Sequence, residues 1–322
     1  MLKYKSDWRS LAFLTAMIAM LATNWTIGFN PILYFLTLYL AITAAVIAHN
    51  HNHVPMWKNQ TLNHITDYWI TLFYGFPVFA WIPTHNRNHH HYTNREGDYT
   101  ITYRYSEKNN LGTVITYPAV SSYFQKFPIT AYLQDLWTRN RSKFLISMGQ
   151  GIALVAFIGT ALYLDWQKAL LYIIIPQQVS TFTVLVFNYI QHVHADEESE
   201  YNHSRNFVSK FTNWTLFNNG LHTAHHIRAN THWSEVPALH AKIDHLIDDS
   251  LKERGFWPYM IRTYLVAPVV PSVRRSSMRL ERMAREAAAR EVAAMDKGAI
   301  PSEHGHHHAH GHHHHSHAPA KG

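Results

Sequence analysis

Four windows of close to twenty apolar residues interrupt an otherwise polar, histidine-bearing chain: Ser10 to Phe29, Pro31 to Ala48, Phe144 to Leu164 and Ala169 to Ile190. At about 1.5 Å of rise per helical residue, each is long enough to cross the hydrocarbon core of a bilayer. The first two are parted only by the turn around Asn30 and Pro31, and the last two by Asp165 to Lys168, so each pair is expected to fold as a hairpin. A fifth run, YWITLFYGFPVFAWIP from Tyr68, is shorter and is broken by Gly75 and Pro77. It reads as a dipping or interfacial segment over about 68–82. After Ile190 the chain is polar with aromatic interruptions to about Pro271, and Arg274 to Lys297 reads as an exposed helix of Ala, Arg and Glu. The pattern predicts an all-α membrane protein: a membrane domain over 1–271 with four transmembrane helices in two hairpins, an exposed helix over 272–300, and a disordered His-rich tail over 301–322.

Charge sets the expected orientation. Lys3, Lys5 and Arg9 precede the first span, and Arg87, Arg95, Arg104, Lys108, Lys126, Arg139, Arg141 and Lys143 lie between the second and third, whereas the tight turns carry only Lys168. Both termini and the central loop are therefore expected in the cytoplasm. A cleaved leader explains the first span less well, because a second span follows at once and no small-x-small site ends it. The mean hydropathy of -0.21 averages apolar and histidine-rich stretches and hides the spans. The net charge of +7 lacks a basic helix or interleaved aromatic–basic motif, so it points to anionic lipid and away from nucleic acid. With no cysteine, the chain has no disulfide, thiolate zinc site or cysteine-held iron–sulfur cluster of its own. Any electrons must come from another protein.

The histidines carry the candidate chemistry. Ten of the 27 fall in the low-complexity tail and are set aside as a metal-sticky extension. In HNHNH at the end of the second apolar window, His49 and His53 are four apart and share a helical face, while His51 is about 200° from His49 and is expected to be a bystander. In HNRNHHHYTN, His85 and His89 repeat that spacing, and His90, turned by about 100° from His89, is free for a second metal or a different coordination position. In NNGLHTAHHI, His222, His225 and His226 are expected on one face, and in NYIQHVH, Asn188 and His192 share a face where the last span leaves the membrane. His64, His194, His203, His232, His240 and His245 have no strong partner and are read as surface residues or as supports. Imidazole suits Fe, Zn, Cu and Ni alike, so residue type does not choose. Number does: eight or nine inward histidines exceed what one tetrahedral zinc uses and suggest two metals in a helical cap on one side of the membrane.

These boxes resemble the HxxxH, HxxxHH and HxxHH motifs of the integral-membrane fatty acid desaturases, over roughly Ile42 to His240, and the flanks YTNREGDYT and THWSEVPALH are similar to the bacterial acyl-lipid branch. The resemblance implies two non-haem Fe ions, O₂ as co-substrate, and removal of two hydrogens from adjacent carbons of a lipid- or thioester-linked acyl chain. It implies His49, His53, His85, His89, His90, His192, His222, His225 and His226 as iron ligands, with Asn188 acting through a water as in acyl-CoA desaturases. A separate ferredoxin- or cytochrome b5-type donor is implied, since no HPGG segment is present and GQGIALVAFIG lies inside a span instead of after a strand. The third box begins with His222 where front-end desaturases have Gln, which disfavours that subclass.

Two rivals remain at this level. A hydroxylase or ketolase of the same metal fold, acting on a lipid, carotenoid or alkane, differs only after the first hydrogen abstraction. A metal transporter would place ionisable groups at the bilayer midplane, whereas here the histidines stand at the span ends.

Overall fold

The computed structural model describes residues 1–298 and divides into two compact units, Met1–Arg279 and Leu280–Gly322. The tail expected over 301–322 lies outside the described residues. The described chain is mostly helical, with one two-residue parallel strand pair, Asn206–Phe207 against Lys252–Glu253.

Among the described residues four helices are long and apolar enough to cross a membrane: α1 (Asp7–Ile27), α2 (Pro31–His53), α5 (Arg141–Leu164) and the longer α6 (Trp166–His192). Their boundaries follow local chemistry. Asn30 accepts from the Ile32 and Leu33 amides while Pro31 takes the first helical position, where its missing N–H costs nothing. Asn24 of α1 donates to Thr37 of α2 at 2.8 Å, so the amide is buried with a partner. Asp165 caps the Lys168 amide and opens α6. Two of these helices outrun their apolar windows: α2 continues from Ala48 to His53 and α6 from Ile190 to His192, which carries histidines beyond the apolar stretch on rigid helix ends.

Between the spans the run from Tyr68 divides. Its first half belongs to α3 (Gln60–Tyr74), which begins at an Asn59 cap that the apolar pattern did not reveal. The helix stops at Gly75, in the left-handed region at φ 82, where an added Cβ would lie 2.4 Å from the Gln177 side chain. A buried turn, Val78–Ala80, follows, and then a π-helix, Ile82–His89. The longest helix, α4 (Leu111–Arg139), was not anticipated, because Pro118 and Pro128 break its pattern; the Asn110–Thr113 capping box starts it. After α6 come α7 (Lys210–Thr215), α8 (His222–Ile227), α9 (Val236–Ile243) and α10 (Phe256–Met260). The main core joins α1, α2 and α6 through Leu14, Ala44, Ile47 and Ile190. The last helix, α11 (Met278–Gly298), begins in the first unit, and its part in the second pairs Arg282 with Glu286 at 2.9 Å.

Candidate metal centre

The nine candidate histidines converge into two adjoining groups. His49, His53, His85, His90 and His225 form one, and His89, His192, His222 and His226 the other; within each, one ring nitrogen per residue lies within 4.8 Å of every other. His90 and His226 link the groups, with ring centroids 4.3 Å apart. Asn188 lines a cleft beside these imidazoles, and its amide donates to the Tyr117 hydroxyl at 2.7 Å. His51 is outside both groups. It is nonetheless buried, accepting at Nδ1 from the Met56 amide and directing Nε2 at Asp67, 3.4 Å away.

The partition differs from the face-by-face expectation in two boxes. His85 and His89 separate, and His85 instead joins His90, five residues on, because Ile82–His89 is wound as a π-helix whose bonds span five residues; the His90 amide reaches back to the His85 carbonyl. Wider turns bring i and i+5 onto one side, and such turns recur at functional sites. In α8, His222 and His226 keep the four-residue pairing while His225 faces the other group. Adjacent residues point about 100° apart on a helix, so His225 and His226 can serve two centres from a single turn.

The geometry of the nitrogens is that of ligands. In the first group the Nε2 atoms of His49, His85, His90 and His225 close a ring, with successive separations of 3.0, 3.1, 3.0 and 3.0 Å. In the second, His89 to His192, His192 to His222 and His222 to His226 are 3.1, 2.9 and 3.1 Å. These are not hydrogen-bond chains. His49 directs Nδ1 at the Asn50 side-chain oxygen, so its proton sits there and its Nε2 is a bare lone pair facing two others. Right-angled positions about 2.1 Å from one first-row ion lie about 3.0 Å apart, whereas tetrahedral positions lie about 3.4 Å apart. His53 adds a buried Nε2 with no partner. The donor set therefore fits two ions with right-angled ligand positions better than a tetrahedral zinc.

Supporting groups fix the rings. His89 donates from Nδ1 to Asp98 at 2.7 Å, and His192 from Nδ1 to the His203 carbonyl at 3.1 Å, so that Nε2 of each is left as the free donor atom. Burial alone would push the Asp98 carboxyl up, but His89 beside it and the Thr100 hydroxyl and amide hold it below the usual carboxylate range. Burial, reinforced by neighbouring imidazoles, holds His85, His90, His222, His225 and His226 well below the ordinary histidine range, hence neutral and ready to ligate. Arg205 clasps the Ile190 and Val193 carbonyls at the end of α6 and so steadies the turn that carries His192. Sequence reading missed Asp98, although the YTNREGDYT flank contained it, and treated His203 only as a possible support. His232, read as surface or support, is buried against Asp7 at 3.2 Å.

A cleft leads from His49, His85 and His222 between α2 and α6, with Val46, Tyr74, Trp81, Leu185 and Phe187 among its apolar walls; Asn188 and Thr100 supply polar edges.

Comparison with known proteins gives one match. The sequence model described as Fatty acid desaturase covers residues 23–260. No curated protein and no solved structure matches the chain.

Proposed function

Because the chain belongs to the fatty acid desaturase family, whose model spans residues 23–260, we propose that it is a multi-pass membrane oxidoreductase that introduces a carbon–carbon double bond into a fatty acyl chain. Two non-haem irons would be held by the nine grouped imidazoles, with Asn188 nearby in the cleft. The observation that carries this reading is the pair of abutting nitrogen groups, each spaced for right-angled ligation, at the head of an apolar cleft. When bound, the irons supply the O₂-dependent oxidising power needed to take two hydrogens from adjacent saturated carbons, with two electrons from an external donor. The protein's part is to position and protect. Val46, Leu185, Phe187 and Trp81 hold an extended acyl chain by burial and exclude water beside the reacting carbons. Asp98 keeps the His89 proton on Nδ1, and the His203 carbonyl does the same for His192. Imidazole ligands resist the oxidation that thiolates would suffer at such a centre.

The positive loop between α2 and α5 supports a cytoplasmic metal centre and termini, and the missing cysteines support a separate ferredoxin- or cytochrome b5-type donor. The test is expression in a host of simple lipid profile, with location of any new double bond by mass spectrometry and iron counted in the purified protein. Loss of two mass units with two irons per chain is expected. A gain of sixteen would replace desaturation by hydroxylation, and a single zinc per chain would overturn the metal assignment.

A further inference from the structure

We propose that Phe256–Val270 is a membrane-surface element, seated in the headgroup and upper acyl region of a bilayer that carries anionic lipid. Nothing in this stretch is long enough to span, but its exposed face is apolar throughout. Trp257, Ile261, Leu265 and Val269, four residues apart, are 70%, 50%, 61% and 80% exposed, while Tyr259, Tyr264 and Ala267 on the other side are buried. Phe256–Met260 is α-helical, Ile261–Val266 a π-helix and Val269 lies in the turn beyond, so it is the shared exposure of the first set that defines the face, and contiguous apolar surface of this kind marks an interaction face. The buried side fixes where that face lies. Phe256 stacks on Phe187 of α6 with centroids 4.7 Å apart, five residues before His192, and Tyr264 donates to Asn109 at 2.7 Å. The segment therefore flanks the last turns of a span whose own outer face exposes Phe182 and Ile175, so hydrocarbon is its neighbour.

Charge completes the pattern. Arg254 and Arg274 stand exposed at the two ends, and among the described residues neither has a carboxylate partner; Arg274 bonds the Ala267 and Pro268 carbonyls. An apolar face edged by exposed guanidinium groups fits a segment lying in an anionic lipid surface. This seating is independent of what the imidazoles bind.

The absence of cysteine makes the test direct, because Leu265→Cys and Val269→Cys each create a unique labelling site in the full chain. The chain is placed in phosphatidylcholine nanodiscs with or without phosphatidylglycerol, and the cysteine carries an environment-sensitive fluorophore. Labels at 265 and 269 should be quenched several-fold more by doxyl-labelled lipid than by aqueous iodide, with the reverse for Lys242→Cys on exposed α9. Phosphatidylglycerol should strengthen the lipid quenching, and Arg254→Gln should weaken that response. Iodide access at 265 and 269 equal to that at 242 overturns the proposal. So does protection that grows with protein concentration in detergent, which would make the face a contact between copies, and indifference to phosphatidylglycerol removes the anionic lipid from it.

Discussion

Two histidine–aspartate pairs lie near the end of α2 and the π-helix, and they have opposite electrostatic characters. His89 meets Asp98 at 2.7 Å, and that carboxylate also takes the Thr100 hydroxyl and amide and the Asn94 amide. His51 and His64 meet Asp67 at 3.4 and 3.6 Å, but among the described residues no backbone amide reaches the carboxylate, and burial pushes Asp67 up to about 7. The same two residue types thus give a fixed charge in one place and a titrating group in the other. What separates them is the number of donors aimed at the carboxylate. Asp98 can offset the charge of an ion at the second nitrogen group, whereas the His51 pair serves packing beside the first.

The sharpest way to break that comparison is to delete a ring from each side. His49→Ala removes a corner of the four-nitrogen ring and is expected to abolish iron binding at that group and all turnover. His51→Ala removes a bystander and should retain most of both. Iron content and product formation measured on the two variants decide the matter; equal loss from both would mean that His51 ligates. Asp98→Asn comes next. Losing the charged acceptor that orients His89 should lower metal affinity by about 10- to 100-fold, read by chelator competition, with the loss confined to one of two ions. An unchanged competition curve would make Asp98 a structural residue only.

Asp67→Asn gives a smaller effect of opposite sign. With its folded pKa raised from 3.8 to about 7, Asp67 binds its proton more tightly in the folded chain, so folded stability falls as pH rises between those values. The asparagine variant should therefore gain on the native chain at pH 8 and show little difference near pH 4, as read from unfolding midpoints. Destabilisation by the asparagine at pH 8 would show that His51 holds the carboxylate ionised.

Much of this centre was legible because imidazoles placed four apart at helix ends have few other uses in such numbers, and eight of the nine grouped histidines carried that spacing or adjoined it, while His192 stood four from Asn188. Their division between two groups was not legible. It depends on the π-winding of Ile82–His89, which moves His85 from His89 to His90, and no residue in IPTHNRNH announces that winding. Tertiary packing likewise overrode local signals in α4, where Pro118 and Pro128 sit inside a continuous helix. Asn188, whose expected part runs through a water, lines the cleft beside His222 while its amide donates to Tyr117. The apolar face ending at Val269 escaped because FWPYMIRTYLVAPVV is apolar almost throughout and too short to span, so its pattern does not say which side is buried.

The least effect is expected from the chain's own histidine surplus. Both nitrogen groups draw every member from residues 49 to 226, and the supports Asp98, His203 and Arg205 also lie within that range. Ten more histidines follow Pro301, a number and composition that suit loose binding of ions from solution. A chain ending at Pro301 should therefore lose only loosely held metal, removable from the full chain by a brief chelator wash, and should keep two tightly held irons and full turnover. If the shortened chain instead loses tightly bound iron, the terminal imidazoles must load or complete the centre, and the contrast between ligating and bystander histidines would have to extend beyond the nine.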